Sequence, residues 1–162
     1  AQLLKQIPDN CVFILLGSGD KSLETFLTEI ASYHDNFIFL KGYSEALSEN
    51  LYTSGDLFLM PSSFEPCGIS QMLAMRAGQP CLAHSVGGLT DTIIDHENGF
   101  TFKGENPFEQ AKNMLTCLTD TLALKTQQPV AWNKISRNAL AARFLWREVA
   151  QDYVKLLYGH AK

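Results

Sequence analysis

The sequence has no Cys-x-x-Cys pair, no stripe of Lys and Arg, and no apolar run approaching the roughly 18 residues that a membrane span needs. Each absence removes a class of function. The four cysteines, Cys11, Cys67, Cys81 and Cys117, are scattered and three of them lie in apolar surroundings. They read as buried thiols rather than as a disulfide or a metal site. The histidines His34, His84, His96 and His160 fail every common ligand spacing, so no zinc site is expected. Acidic side chains outnumber basic ones, 17 to 13, for a net charge of −4, which argues against phosphate-backbone binding and so against nucleic acid. The opening "AQLLKQIPDN" lacks the charged, apolar and small-residue order of a signal peptide, and a cytoplasmic setting without membrane contact is expected. Internal repeats and low-complexity segments are missing too.

What remains is 162 residues, 46% hydrophobic and 19% charged, the size and composition of one globular domain with a real core. Short apolar runs alternate with helical periods. "CVFILLG" (11–17) is a continuous apolar run of the kind buried on both faces of a parallel sheet. Leu23, Phe26, Leu27 and Ile30 then recur on one helical face, with Asp20 or Ser22 available as cap. "NFIFLKG" (36–42) is the next strand, a helix opens at Ser44, and "DLFLMPS" (56–62) is a third strand, stopped by Pro61. Ile69, Met72, Leu73 and Ala77 form the next helical face. "QPCLAHS" (79–85) and "NGFTF" (98–102) are the fourth and fifth strands. This alternation predicts an α/β fold, a Rossmann-like doubly wound parallel sheet. Residues 106–162 then read as a helical C-terminal region. There Asn106 caps, Pro107 takes the first helical position and Glu109 completes a capping box. Phe108, Ala111, Leu115, Leu118 and Leu122 form the buried stripe of that helix. Pro129 opens a further helix, and Trp146, Val149, Ala150, Tyr153 and Leu157 line one face of the last. The first ten residues read as the end of a helix already under way, with no strand before it, so the sheet is expected to lack its first strand.

Ligands of open α/β sheets sit beyond the carboxyl ends of the strands, which selects the loops "GSGD", "KGYSE", "PSSFEPCG" and "HSVGG". The first is not a dinucleotide fingerprint, because position 22 holds Ser22 where glycine is needed. In the third, Glu65 stands in a turn bracketed by Pro66 and Gly68. Two roles are open to it: capping the helix that follows, worth about 0.3–1 kcal/mol, or contacting a ligand. Amides from Gly68 to Ser70 suit a phosphate, and a carboxylate beside them suits sugar hydroxyls.

Residues 57–93, "LFLMPSSFEPCGISQMLAMRAGQPCLAHSVGGLTDTI", together with "LGSGD", "GYSEALS" and "FLWREVAQDYVKLLY", resemble the donor-binding half of bacterial glycogen synthases and plant starch synthases. The resemblance runs from about Cys11 to the end. It implies the C-terminal domain of a two-domain GT-B retaining glucosyltransferase, passing glucose from ADP-glucose to the non-reducing end of an α-1,4-glucan without metal or organic cofactor. In the wider superfamily a second glutamate follows the first after seven residues; Leu73 stands there, as is common among glycogen synthases. The resemblance gives Glu65 the catalytic contact with the donor glucose, gives Gly68, Ile69 and Ser70 the diphosphate, and places Cys67 among the donor-binding residues. Tyr43 stacks on the base. Gly87 and Gly88 sit beside sugar and phosphate, with Val86 in place of a hydroxyl-bearing residue, and Gly17 and Gly19 line the first loop. Basic residues that neutralise the departing diphosphate belong to a motif upstream of Ala1, and the acceptor belongs to another domain, so these residues alone are expected to be inactive. Two alternatives stay open: another sugar nucleotide such as UDP-glucose, and a non-catalytic nucleotide-sugar-binding module.

Overall fold

A computed structural model describes residues 2–8 and 10–159. Helix α1 (Gln2–Gln6) leads into β1 (Phe13–Gly17), α2 (Lys21–Tyr33), β2 (Phe37–Lys41), α3 (Glu45–Ser54) and β3 (Phe58–Met60). After these come α4 (Ser70–Arg76), β4 (Cys81–His84), α5 (Leu89–Thr92), β5 (Gly99–Phe102), α6 (Pro107–Gln127), α7 (Pro129–Ala141) and α8 (Trp146–Tyr153), which runs on into a π-helical turn (Val154–Tyr158). The helix starts follow the side-chain chemistry. Asp20 accepts hydrogen bonds from the amides of Ser22 and Leu23, Ser44 from Leu47 and Asn106 from Glu109. Glu109 does not close the expected box; it reaches one residue further back, to the amide of Glu105 at 3.0 Å.

All strand pairing is parallel, as the alternation requires, but it falls into two pieces. β1 pairs with β2, with Phe13 opposite Phe37, while β3, β4 and β5 form a separate sheet in that order. β1 does not lie beside β3, so the sheet has not rearranged to close on itself.

β4 is the centre of the second piece. Cys81 and Ala83 point to one face, into a cluster with Ala74, Met75, Leu89, Ile93 and Ala139; Leu82 points to the other, among Phe100, Phe102, Leu118, Trp132 and Ile135. This two-residue alternation, apolar on both faces, is what makes β4 a continuous apolar word in the sequence. Burial of side chains this large contributes about 1.5–3 kcal/mol each. The two pieces meet where α1 packs on α6 and α3 on α4, with Asn36 Nδ2 donating to Leu4 O at 3.3 Å.

Several expected faces are corrected. β1 is not buried on both sides: Ile14 within it is 39% exposed, and Val12 just before it 56%. On α2, Leu23 and Phe26 face outward, and the buried residue is Glu24. Phe108 and Ala111 are exposed on α6, whose packing stripe begins lower, at Met114, Cys117 and Leu118. The apolar face of the last helix is exposed as well, Trp146 at 81%. The thiols divide: Cys81 is buried, which pushes its pKa up to about 12, and burial raises that of Cys117 to about 11. Cys67, by contrast, is exposed.

Candidate functional site

The carboxyl ends of β3 and β4 carry two of the four loops that the sequence singles out, and they interlock. The amide of Gly88 donates to the carbonyl of Glu65 at 3.1 Å. A Cβ on Gly87 would lie 2.0 Å from Glu65 O, and one on Gly88 2.6 Å from Cys67 O. Backbone meets backbone there, so both positions need glycine for space, and Gly87, at φ +47°, also for conformation. Val86 turns inward against the cluster around Ala74 and Met75, which accounts for an apolar residue where a hydroxyl was expected.

Glu65 is half-buried, and its carboxylate takes no hydrogen bond or ion pair from the described residues. Nor does it cap α4, which has no side-chain cap. Of its two open roles, capping is therefore not used. Beyond it Gly68 turns the chain at φ +76°, and the amides of Gly68, Ile69 and Ser70 find no acceptor among the described residues. Ile69 is 67% exposed and Cys67 is exposed with them.

The loop is held from behind by residues to which the sequence reading gave no role. The ring of His84, buried and stacked on Phe102 at 5.1 Å, places Nδ1 2.9 Å from Ser62 O. With a carbonyl as partner, Nδ1 is the nitrogen that carries the proton. Ser63 Oγ donates to Gln110 Oε1 at 3.3 Å. Gln71 is fully buried, and its Nε2 lies 3.1 Å from Cys67 O, 2.9 Å from Gly68 O and 3.4 Å from Thr92 Oγ1. Gln71 with Ala74 and Met75 is the buried face of α4, not the expected set of Ile69, Met72, Leu73 and Ala77. A polar residue spaced i, i+3, i+4 with two small or apolar ones was the available signal.

A second group lies at the ends of β1 and β2. Gly42, at φ +125°, donates from its amide to Gly17 O at 2.9 Å. The Gly19 amide donates to Glu24 Oε1, also at 2.9 Å, and Glu24 pairs with Lys41 at 2.7 Å. The Lys41 ammonium, and after it the Gly19 N–H, hold the Glu24 carboxyl below the usual carboxylate range. Tyr43 follows Gly42 and is 86% exposed; like the 82% exposed Phe64, it has no aromatic partner among the described residues. Glu65, Cys67, Gly68, Gly87 and Gly88 are thus brought together, with Ile69 and Ser70 directly behind them, while Gly17, Gly19 and Tyr43 form their own cluster on the β1–β2 piece. No group of three or more His, Cys, Asp or Glu placed to hold a metal occurs among the described residues, and no described helix is long and apolar enough to cross a membrane.

Glycogen synthase from Photobacterium profundum is 35% identical over 153 residues, 90% of this chain and 29% of that protein. Glycogen synthase from Lactiplantibacillus plantarum is 37% identical over 147 residues, 86% of this chain and 30% of its own length. The chain therefore spans under a third of either relative. In structure it is similar to the catalytic domain of starch synthase IV from Arabidopsis thaliana bound to ADP and acarbose, with a TM-score of 0.77 and 31% identity over 90% of this chain and 31% of that one. That likeness carries the GT-B fold expected from the sequence. The family model for glycosyl transferases group 1 matches residues 1–138, and the chain belongs to that family.

Proposed function

We propose that this chain is the C-terminal, donor-binding domain of a cytoplasmic retaining glucosyltransferase of the glycogen and starch synthase kind. The observation that carries the reading is the interlock of the Glu65–Cys67 and Gly87–Gly88 backbones, in a loop whose Glu65 carboxylate and Gly68 to Ser70 amides have no partner among the described residues. One half of a sugar diphosphate wants hydroxyl acceptors and the other wants amide donors. In this reading the amides of Gly68, Ile69 and Ser70 take the diphosphate, with Cys67 beside it. The turn at Gly87 and Gly88 lies beside sugar and phosphate, Tyr43 stacks on the base, and Gly17 and Gly19 border it.

The donor is ADP-glucose. The bond from the anomeric carbon to the diphosphate oxygen breaks, ADP departs with that electron pair, and the non-reducing-end hydroxyl of an α-1,4-glucan forms the new bond and passes its proton to the departing diphosphate. Glu65 orients the glucose hydroxyls and stabilises positive charge as the anomeric carbon becomes oxocarbenium-like. No metal or organic cofactor takes part, and the glucan is received by a second, N-terminal domain of the full-length protein.

A thermal-shift series with ADP, ADP-glucose, UDP and NAD tests this. ADP and ADP-glucose are expected to raise Tm increasingly with concentration, since ligand bound only to the folded state stabilises by mass action, and NAD is expected not to. Stabilisation by UDP instead would move the donor to a uridine sugar; no shift with any of the four would overturn the reading. Glucan elongation from ADP-glucose is expected from the full-length protein and not from these 162 residues alone.

A further inference from the structure

Gln71 is a buried polar side chain on an otherwise apolar helix face, and only half of its amide is satisfied. Nε2 sits among Cys67 O, Gly68 O and Thr92 Oγ1, whereas Oε1 is buried with no partner. An orphaned buried carbonyl is costly, and an apolar residue of the same length would avoid the cost. What the amide does in return follows from peptide geometry. In a trans peptide the C=O and the next N–H point to opposite sides. Fixing Cys67 O and Gly68 O inward on Gln71 turns the amides of Gly68 and Ile69 outward, away from the core. Thr92 extends the restraint: its hydroxyl accepts from Gln71 Nε2 and donates to Gly88 O at 3.1 Å, so one side chain ties the β3–α4 loop to the β4–α5 loop. Gly68 is matched to it, because a Cβ there would lie 2.5 Å from Gln71 Oε1.

We propose that Gln71 is a positioning residue that aims the Gly68 and Ile69 amides at the diphosphate of the donor, with Thr92 as its relay to the glycine loop. The inference rests on the donor-binding reading above. It predicts that removing the donor group of residue 71 damages nucleotide binding out of proportion to stability.

The test is made in the full-length protein with ADP as the probe, by calorimetric titration, and with ADP-glucose in steady-state kinetics. Gln71→Met keeps length and packing and deletes the amide. The dissociation constant of ADP and the KM for ADP-glucose are expected to rise by roughly tenfold, the worth of one or two misaimed hydrogen bonds, with Tm within a few degrees of the parent. Thr92→Val is expected to lose part of that affinity and Thr92→Ser to keep it, and it serves where Gln71→Met does not fold. In the double variant the losses are expected to fall short of additive, because both act on one restraint. A parent protein that binds neither ADP nor UDP sinks the donor reading and this inference with it. A parent that binds ADP, with Gln71→Met and Thr92→Val binding it equally well, overturns the role of Gln71 and leaves the donor reading standing. A fall in Tm with unchanged affinity likewise assigns Gln71 to stability alone and overturns the proposal.

Discussion

Glu65→Gln keeps the size of the side chain and a carbonyl acceptor while removing its charge, and so separates packing from electrostatics. Nothing among the described residues bonds to the carboxylate, and α4 does without it as a cap. Its loss is therefore expected to leave Tm almost unchanged. Turnover of the full-length protein on ADP-glucose is expected to fall about a hundredfold or more, as happens when one preorganised electrostatic contact worth roughly 3–4 kcal/mol is deleted. ADP affinity is the control, since ADP lacks the glucose; a large loss there would mean a disrupted loop and count against the assignment. Tyr43 offers a different test. Its ring has no aromatic partner among the described residues and is 86% exposed, so Tyr43→Ala removes little packing. If the ring stacks on the base, ADP binding should weaken by about 1–3 kcal/mol, by analogy with base stacking on aromatic side chains. An unchanged dissociation constant would remove Tyr43 from the site.

Helix starts were the most legible feature of the sequence, because a cap is a local bargain between one side chain and a few amides three residues away. Asn106 caps as read, Asp20 is the one of the two candidates that caps α2, and Ser44 caps the helix read as opening there. Asn106→Ala is expected to cost about 1 kcal/mol, measured as a shift of the denaturation midpoint with unchanged slope; no shift would mean that Pro107 and Glu109 fix the start of α6 unaided. The strands were legible to within two residues at each end, since β4 is buried on both faces and Pro61 ends β3. Helix faces were legible only in part, with Leu118 and Leu122 of α6 packed as read. On α4 the eye takes Ile69 and Leu73 for the inside, yet Ile69 is 67% exposed and Gln71 fully buried. Hydropathy ranks an amide as outward-facing; whether it can be buried depends on the turn that aims the carbonyls of Cys67 and Gly68 back at Nε2 and on Thr92 from another loop, neither of which a hydropathy pattern encodes. For the same reason the glycines and Glu65 of the site could be named from sequence, but the side chains that hold them, Gln71, Thr92 and His84, could not. Local bonds hold them too, but the contacts that tie separate loops together span 21 to 22 positions, Thr92 to Gln71 and Ser62 to His84.

Across the whole molecule the core is unevenly distributed. Both apolar clusters centre on β4 and its neighbours, whereas the β1–β2 piece contributes little beyond Phe37 and has two apolar side chains of α2, Leu23 and Phe26, in solvent. A doubly wound fold was legible from the βα alternation, but its division into two parallel pieces is a matter of long-range pairing, which periodicity does not encode. The consequence is a difference in local stability. Segments with few buried contacts open at lower free energy than the global transition, so amides of β1 and β2 are expected to exchange with deuterium well before those of β4. Equal protection across the five strands would show one cooperative unit instead. If the base rests on the Tyr43 side and the diphosphate on the Gly68 side, the nucleotide sugar acts as a splint across a stiff piece and a soft one. Part of its binding free energy is then spent on quieting the soft piece, and exchange between residues 13 and 41 should slow when ADP is bound although few of those residues touch it.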